Sequence, residues 1–146
     1  MDPVEFYTLA STLIFGGSTP GPVQCRTSIG RAYYASLNRT DEMLGRWGVP
    51  CGKGPQKHGL SVRFLHASGD PDLMTASTAL NDLKILRNRA DYEMSNRPIE
   101  TVHQARVALA FARDVLDFLE AVDADPARRI SAEARIRSYQ RKTNAP

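Results

Sequence analysis

Few residues of this chain could do chemistry, and two of them, Lys57 and His58, stand side by side. Residues 48–59 contain four Gly and two Pro, a composition typical of a loop. A lysine and a histidine among glycines could cradle a phosphate group. However, the stretch lacks the Lys-Ser or Lys-Thr ending of a phosphate-binding loop, and no parallel strand precedes it. The alternative is a connecting loop in which His58 caps or braces a neighbouring helix.

The other histidines and the cysteines do not form a metal-binding pattern. Cys25 and Cys51 lack the paired spacing of a zinc site and are too few for a disulfide framework. His66 and His103 fall on separate predicted helices without a second ligand at a suitable spacing. No Gly-x-Ser-x-Gly motif is present either. We therefore predict reduced thiols, no metal site and no cofactor.

Helix signals account for most of the chain. Asp-Pro pairs, in which Asp caps a helix and Pro occupies its first position, predict helices beginning at residues 3, 71 and 126. Apolar residues recur every three or four positions in a second long segment at about 20–47 and in another at 99–122. A shorter helix is expected to follow the 48–59 loop, and the helix from residue 71 should end between Tyr92 and Asn96.

No segment alternates polar and apolar residues like a half-buried strand, so the pattern predicts an all-α protein. The expected architecture is a four-helix bundle with an additional short helix and a basic C-terminal helix. We divide the chain at residue 124, with the bundle at 1–124 and the basic helix at 125–146. The last helix has only a thin apolar stripe, which predicts loose attachment.

The net charge of +3 is too small to indicate a nucleic-acid-binding protein by itself, but its distribution is uneven. The tail from Pro126 holds six basic residues and one acid, whereas the rest of the chain is slightly acidic. Together with Tyr139, this tail could contact RNA, DNA or an acidic protein. The contacts would be made by Arg128, Arg129, Arg135, Arg137 and Arg141. The alternative is a solubilising, frayed C-terminus.

The sequence lacks an apolar run long enough to span a membrane, and polar residues interrupt its first segment. We therefore expect a cytoplasmic protein without a membrane partner. With 146 residues, one compact domain is favoured, which excludes most large catalytic architectures.

Two motifs resemble those of a known superfamily. They are Ser28-Ile-Gly-Arg-Ala-Tyr-Tyr-Ala-Ser36 in the second helix and Leu86-Arg-Asn-Arg-Ala-Asp-Tyr92 near the end of the fourth. They resemble the paired signatures of the HEPN (higher eukaryotes and prokaryotes nucleotide-binding) superfamily, in particular a prokaryotic branch with Ser-Arg-Ala-Tyr-Tyr-Ala and Ala-Asp-Tyr. The loop piece Lys57-His58-Gly59 is also similar, and the resemblance runs from about Val4 to Glu120.

The resemblance implies a helical bundle that often forms a homodimer. In many members it also implies a metal-independent ribonuclease with an Arg, a polar residue and, after four to six intervening residues, a His. RNA cleavage through the 2′-hydroxyl requires a proton acceptor and a cation that stabilises the phosphorane, roles suited to His and Arg. In related systems a small nucleotidyltransferase is a common partner.

Arg87 and Asn88 match the beginning of this ribonuclease motif. The positions at which His is required hold Tyr92, Glu93 and Met94. Tyrosine is a poor general base at neutral pH because its ordinary pKa is about 10. Arg97 and His103 have the required spacing, although this pair begins later than the family motif. Residues two apart on a helix point about 200° away from each other, so only one of Arg87 and Arg89 can face a given cleft. Arg87 is the candidate because it is the arginine that matches the motif.

Arg31 and Asp91 are opposite charges within the two motifs. We expect Arg31 to bind Asp91 between the second and fourth helices, with Tyr92 packed nearby. This pair would favour one helix register, and Arg31 could also line a ligand cleft. The predicted cleft residues are Arg31, Lys57, His58, Asn88, Asp91 and Tyr92.

The resemblance therefore implies a non-catalytic or degenerate component, associated with nucleotides or RNA, of a prokaryotic stress or defence system of the toxin–antitoxin kind. One alternative is a metal-independent RNA endonuclease using Arg87 or Arg97 with His103. A second alternative is a structural subunit of a larger complex.

Overall fold

The computed structural model describes residues 1–143, and every regular element among them is helical. In chain order the elements are α1 (Pro3–Phe15), α2 (Pro22–Arg46), α3 (Gln56–Ala67), α4 (Pro71–Tyr92), a 3-10 turn (Arg97–Glu100), α5 (Val102–Asp123) and α6 (Pro126–Thr143). The predicted all-α class is confirmed.

Local capping chemistry sets the beginnings of the helices. The Asp2 carboxylate accepts a hydrogen bond from the backbone N–H of Val4 at 2.9 Å. Asp70 accepts two such bonds at the start of α4, and Asp125 accepts two at the start of α6. These carboxylates satisfy N–H groups that have no partner within the first helical turn. The three helix starts predicted from Asp-Pro pairs are therefore confirmed.

Helix α2 is the central element, because it packs against α1, α4 and α5. Its inward face buries Ile29, Tyr33 and Leu37, which meet Leu80 and Leu83 of α4 in one hydrophobic core. Helix α3 lies against α4 and α6 and extends the core through Phe64 and Leu65. This arrangement brings the ends of the two sequence motifs, on α2 and α4, next to each other.

Helix α6 is firmly packed, so the expectation of a loosely attached helix is wrong. Ala132 and Ile136 are 1% and 0% exposed and belong to the same core as the bundle. The ring of Tyr139 meets that of Phe64 edge to face, with centroids 6.1 Å apart. Helix α6 contacts α3 and α5, whereas Ile130, in its second turn, is 65% exposed.

Two kinds of feature are absent from residues 1–143. None of the helices within residues 1–143 has the length and apolar character needed to cross a bilayer. In the same residues, no group of three His, Cys, Asp or Glu side chains lies close enough together to hold a metal ion.

Candidate functional site

Arg87 of α4 is the centre of the predicted cleft. Its Nη2 donates a hydrogen bond to the Tyr34 hydroxyl at 2.7 Å, and Nη1 donates one to Oδ1 of Asn88 at 3.2 Å. Its Nε lies 2.7 Å from Oδ2 of Asp91, one helical turn onward. This buried Nε–H is not aligned with an acceptor, so the contact with Asp91 is ionic rather than a linear hydrogen bond.

Three tyrosine rings surround the Arg87 guanidinium. Its central carbon lies 5.0 Å from the ring centroid of Tyr92, 5.2 Å from that of Tyr34 and 6.0 Å from that of Tyr33. These distances allow cation–π attraction. Burial acts to lower the pKa of Arg87, but Tyr34, Asp91 and Tyr92 outweigh it and raise this pKa above its ordinary value. Arg87 is therefore a permanently charged group held in one position.

The predicted pairing of Arg31 with Asp91 is wrong. Asp91 pairs with Arg87, which lies four residues before it on the same helix, a spacing that places both side chains on one face. Arg31 is exposed, and its guanidinium lies 5.5 Å from the ring centroid of Phe6 on α1. Arg31 and Asp91 nevertheless line one small pocket of about 200 Å³ together with Thr27, Gly30 and Tyr34.

This rearranged pairing predicts different consequences for the two arginines. We expect Arg87→Ala to lower the free energy of unfolding by about 2 to 3 kcal/mol, because it leaves Asp91 and the Tyr34 hydroxyl without their partner. We expect Arg31→Ala to change it by less than about 1 kcal/mol, since only an exposed cation–π contact is lost. Urea denaturation followed by circular dichroism measures both. Equal losses for the two variants would contradict the assignment.

Lys57 and His58 lie in the first turn of α3 rather than in the predicted 48–59 loop, because this helix begins at Gln56. His58 braces α2, as the alternative to phosphate binding predicted. Its Nδ1 is hydrogen-bonded to the Tyr33 hydroxyl, and the two rings are stacked with their centroids 5.7 Å apart. Burial, and then the positive charges of Lys84, Arg87 and Lys57, lower the pKa of His58 below its ordinary value of 6.5. The imidazole is therefore neutral at pH 7. Burial likewise raises the pKa of Tyr33.

Lys57 is held by an acid of α2. Its Nζ lies 2.8 Å from Oδ2 of Asp41, and both side chains are partly buried. Cys51 lies close to this pair, is fully buried, and burial raises its pKa to about 11. The thiol is thus protonated at neutral pH, and Cys25 is buried as well.

The structure does not bring Arg97 and His103 into contact. The Arg97 side chain is 84% exposed and lies 3.5 Å from a carboxylate oxygen of Glu100. His103 is exposed near the start of α5. Within residues 1–143, no hydrogen bond, ion pair or ring contact connects the two side chains.

Two of the arginines of α6 bind residues of other elements. Arg128 forms a bidentate pair with Asp70, with both distances 2.8 Å, and also contacts Asp72 at 2.7 Å. Arg137 donates to the carbonyl oxygen of Trp47 at 2.8 Å. These two guanidinium groups hold α6 in place, so they are poorly available for an external partner.

The other three arginines of this set are exposed, as is Arg137. Arg129 pairs with Glu133 one turn onward, at 3.1 Å. The side chain of Arg135 lies against Gly69, where a Cβ atom would come within 2.5 Å of its Nη1. Arg141 lies near the end of the helix. Contact of these three side chains with a nucleic acid or a partner stays a prediction.

Arg26 of α2 is an important residue that the sequence pattern did not single out. Its side chain is 11% exposed, and its Nε donates to Glu100 of the 3-10 turn at 2.9 Å. The two terminal nitrogens donate to five backbone carbonyls at the end of α4 and just beyond it. These belong to Arg89, Ala90, Glu93, Met94 and Asn96. The sequence did contain one signal for this residue. Arg26 lies on the same helical face as Ile29 and Tyr33, so a charged side chain occupies a position within an apolar stripe.

Comparisons of this chain with protein-family models, with curated proteins and with solved structures find no match.

Proposed function

We propose that this protein is a non-catalytic, RNA- or nucleotide-associated component of a prokaryotic stress or defence system, acting in the cytoplasm. The proposal joins the resemblance of its two motifs to the HEPN superfamily with the geometry around Arg87. The observation that carries it is the ring of Tyr92, which is 69% exposed and is backed by the Arg87 guanidinium at 5.0 Å. An exposed ring beside a fixed cation is suited to stacking against a base of single-stranded RNA.

The proposal is non-catalytic because the cation and the base needed for RNA cleavage are not available together. Arg87 is already bound by Tyr34, Asn88 and Asp91, and it lies over tyrosines rather than opposite an imidazole. His58 is close enough for the charge of Arg87 to lower its pKa, but its Nδ1 is already bonded to the Tyr33 hydroxyl. A general base must reach the proton that it removes.

The mouth of the adjoining pocket adds a second cation. Arg31 is exposed there, and the pocket also presents Thr27 and the Asp91 carboxylate. A phosphate of a bound strand could contact Arg31 while a base stacks on Tyr92, because Arg31 has no ion-pair partner among residues 1–143. In this arrangement Arg87 positions the Tyr92 ring and Arg31 supplies the exposed charge.

Fluorescence anisotropy with labelled single-stranded RNA tests the proposal. We expect Tyr92→Ala to weaken binding by about tenfold, since stacking of one base contributes about 1 to 3 kcal/mol. Tyr92→Phe should retain binding because it keeps the ring. Ile85→Ala is the matched control, since Ile85 is 43% exposed on the same face of α4, two turns earlier. RNA binding that is unchanged in Tyr92→Ala would overturn the proposal.

The alternative function, a metal-independent ribonuclease, is tested by a separate RNA-cleavage assay. Labelled RNA incubated with the protein in EDTA should remain intact. Cleavage that persists in EDTA and disappears in His103→Ala would instead establish the ribonuclease that uses Arg97 or Arg87 with His103.

The proposal also includes two partners that rest on the resemblance alone. They are a second copy of the chain, forming a homodimer, and a small protein of the nucleotidyltransferase type. Light scattering of the purified protein tests the first, and co-purification from the native host tests the second. If a large assembly co-purifies while RNA binding is absent, the protein is a structural subunit instead.

A further inference from the structure

Helix α3 forms the floor of a groove whose walls are α4 and α6. Both walls pack on α3, but the backbones of α4 and α6 do not contact each other among residues 1–143. The walls meet at their first turns, where Arg128 binds Asp72. Two adjoining cavities of about 500 and 420 Å³ lie in the groove and share Arg63 and Tyr139. A further element could therefore pack on α3 between the two walls.

The lining residues of α3 favour an elongated ligand. Gln56, Leu60, Arg63 and Ala67 recur at intervals of three or four residues, so the groove follows one face of α3 along most of its length. Gln56 and Arg63 are exposed, as is Asn81 on the α4 wall, so the groove is open. A small-molecule site encloses most of its ligand. A helix lying along an open groove is a recurring mode of peptide recognition.

One end of the groove is positively charged. Arg63 of α3 and Lys84 of α4 line the larger cavity, and no Asp or Glu lines either cavity among the residues that the structure describes. Within residues 1–143 neither cation forms an ion pair, in contrast to Lys57 nearby, which is bound to Asp41. Two unpaired cations complement carboxylates of a ligand.

The other end of the groove is largely apolar. Val62, Ala67 and the ring of Tyr139 line the smaller cavity. The Tyr139 ring is held by its edge-to-face contact with Phe64. Apolar side chains of a ligand can be buried here, beside the charged end. Arg63 and Tyr139 border both cavities, and arginine and tyrosine are residue types that contribute most at protein interfaces.

This division of charge favours a protein segment over a nucleic acid. A nucleic acid strand carries a phosphate at every nucleotide and binds mainly through a row of cations. Here the cations Arg63 and Lys84 lie at one end, and the other end is apolar. An acidic amphipathic helix presents both features, with carboxylates beside a row of apolar side chains.

We propose that this groove docks an acidic amphipathic helix of a protein partner. Its carboxylates bind Arg63 and Lys84, and its apolar side chains pack against Val62, Ala67 and Tyr139. The inference does not rest on the proposed function, because it uses no residue of the Arg87 site and concerns a protein rather than RNA.

A designed peptide tests the groove, with binding followed by fluorescence anisotropy. The probe is a fluorescein-labelled helix of about 15 residues, stapled because isolated helices of this length are marginally stable. This Glu peptide has Leu at helical spacing on one face and Glu on the flanks. A Lys peptide replaces each Glu by Lys, and a Ser peptide replaces each Leu by Ser. We expect the Glu peptide to bind at least tenfold more tightly than either of the others.

Substitutions of the two cations locate the bound peptide. Arg63→Ala and Lys84→Ala should each weaken binding of the Glu peptide by about tenfold, because each removes one charged contact. Lys84→Glu should weaken it further and strengthen binding of the Lys peptide. The matched control is Arg113→Glu, which reverses an exposed charge of α5 at a cavity beside α1. Circular dichroism verifies that each variant is folded.

Four results would overturn the inference. They are equal binding of the Glu and Lys peptides, equal binding of the Glu and Ser peptides, equal effects of Lys84→Glu and Arg113→Glu, and no binding of the Glu peptide at millimolar concentration. Other occupants have their own signatures. Single-stranded RNA that displaces the Glu peptide and loses affinity in Lys84→Glu would assign the groove to RNA instead. A dimer that dissociates in Lys84→Glu, measured by light scattering, would assign it to a second copy of the chain.

The Tyr92→Ala variant separates this inference from the proposed function. It should bind the Glu peptide normally, since Tyr92 lines neither cavity. Loss of RNA binding in Tyr92→Ala with normal peptide binding would support both sites. Unchanged RNA binding in Tyr92→Ala, with loss of peptide binding in Lys84→Glu, would remove the proposed function and keep the groove.

Discussion

Arg26→Ala is expected to lower the free energy of unfolding by about 3 to 5 kcal/mol, the range measured when one partner of a buried ion pair is removed. The variant leaves the Glu100 carboxylate, only 13% exposed, without its closest cation. It also removes the donors for five carbonyls in the last turn of α4 and just beyond it. Urea denaturation followed by circular dichroism measures the loss.

Arg97→Ala is the matched control for this prediction. Arg97 contacts the same Glu100 carboxylate at 3.5 Å, but its side chain is 84% exposed. Since exposed ion pairs contribute little, we expect a change below about 0.5 kcal/mol. Arg26→Lys should not restore stability, because one ammonium group cannot reach carbonyls spread around a planar guanidinium. Arg26→Ala with the stability of Arg97→Ala would show that these carbonyl contacts contribute nothing.

Asp70→Ala is the second large effect that we expect, at about 3 kcal/mol. The Asp70 carboxylate caps α4 by accepting from the N–H groups of Asp72 and Leu73. It also binds Arg128 of α6 through both oxygens. Loss of a helix cap costs about 1 kcal/mol, and hydrogen bonds to a charged group contribute about 1.5 to 3 kcal/mol. Denaturation in urea at neutral pH measures the sum.

The control is Asp72→Ala on the same turn. Asp72 is 37% exposed and contacts Arg128 through one oxygen at 2.7 Å. We expect its loss to cost less than about 1 kcal/mol. If the two variants were equally stable, the bidentate contact of Asp70 would not be what fixes α6 to the start of α4.

Acid titration gives an independent readout for Asp70. The hydrogen bonds from Arg128, assisted by the helix N–H groups and opposed by burial, hold the pKa of this carboxyl below its ordinary value of 3.8. The contribution of the Asp70 carboxylate to the free energy of unfolding is therefore complete above about pH 3.8. It is lost as the pH falls through the lower pKa that this carboxyl has in the folded state. Asp70→Asn should lose this part of the acid dependence. An unchanged pH profile would contradict the assignment.

Sequence patterns predicted the fold class because the relevant chemistry is local. The Asp-Pro pairs at residues 2, 70 and 125 place a carboxylate and a fixed backbone angle next to each other along the chain. Helical periodicity similarly reports which side chains share a face. Neither signal depends on how the helices cross, so both are readable without a tertiary structure.

The candidate site was predicted only in part. Arg87 contacts Asn88, Asp91 and Tyr92. That these residues line a ligand cleft stays a prediction. The partner of Asp91 was misassigned, although its spacing of four from Arg87 was visible in the sequence. The observed contact lies within one helix and follows from the spacing alone, whereas a contact between two helices also requires a particular packing of those helices.

What the sequence determined by itself is the all-α class and the beginnings of the three helices that follow Asp-Pro pairs. Only the tertiary structure decided that Arg26 reaches Glu100, 74 residues away, and that Arg128 reaches Asp70 across 58 residues. It also decided that Arg63 and Lys84 face a groove without an acid among its described walls. The physical reason is that such contacts depend on the rotation and crossing of whole helices, which the core selects collectively and which no short segment encodes.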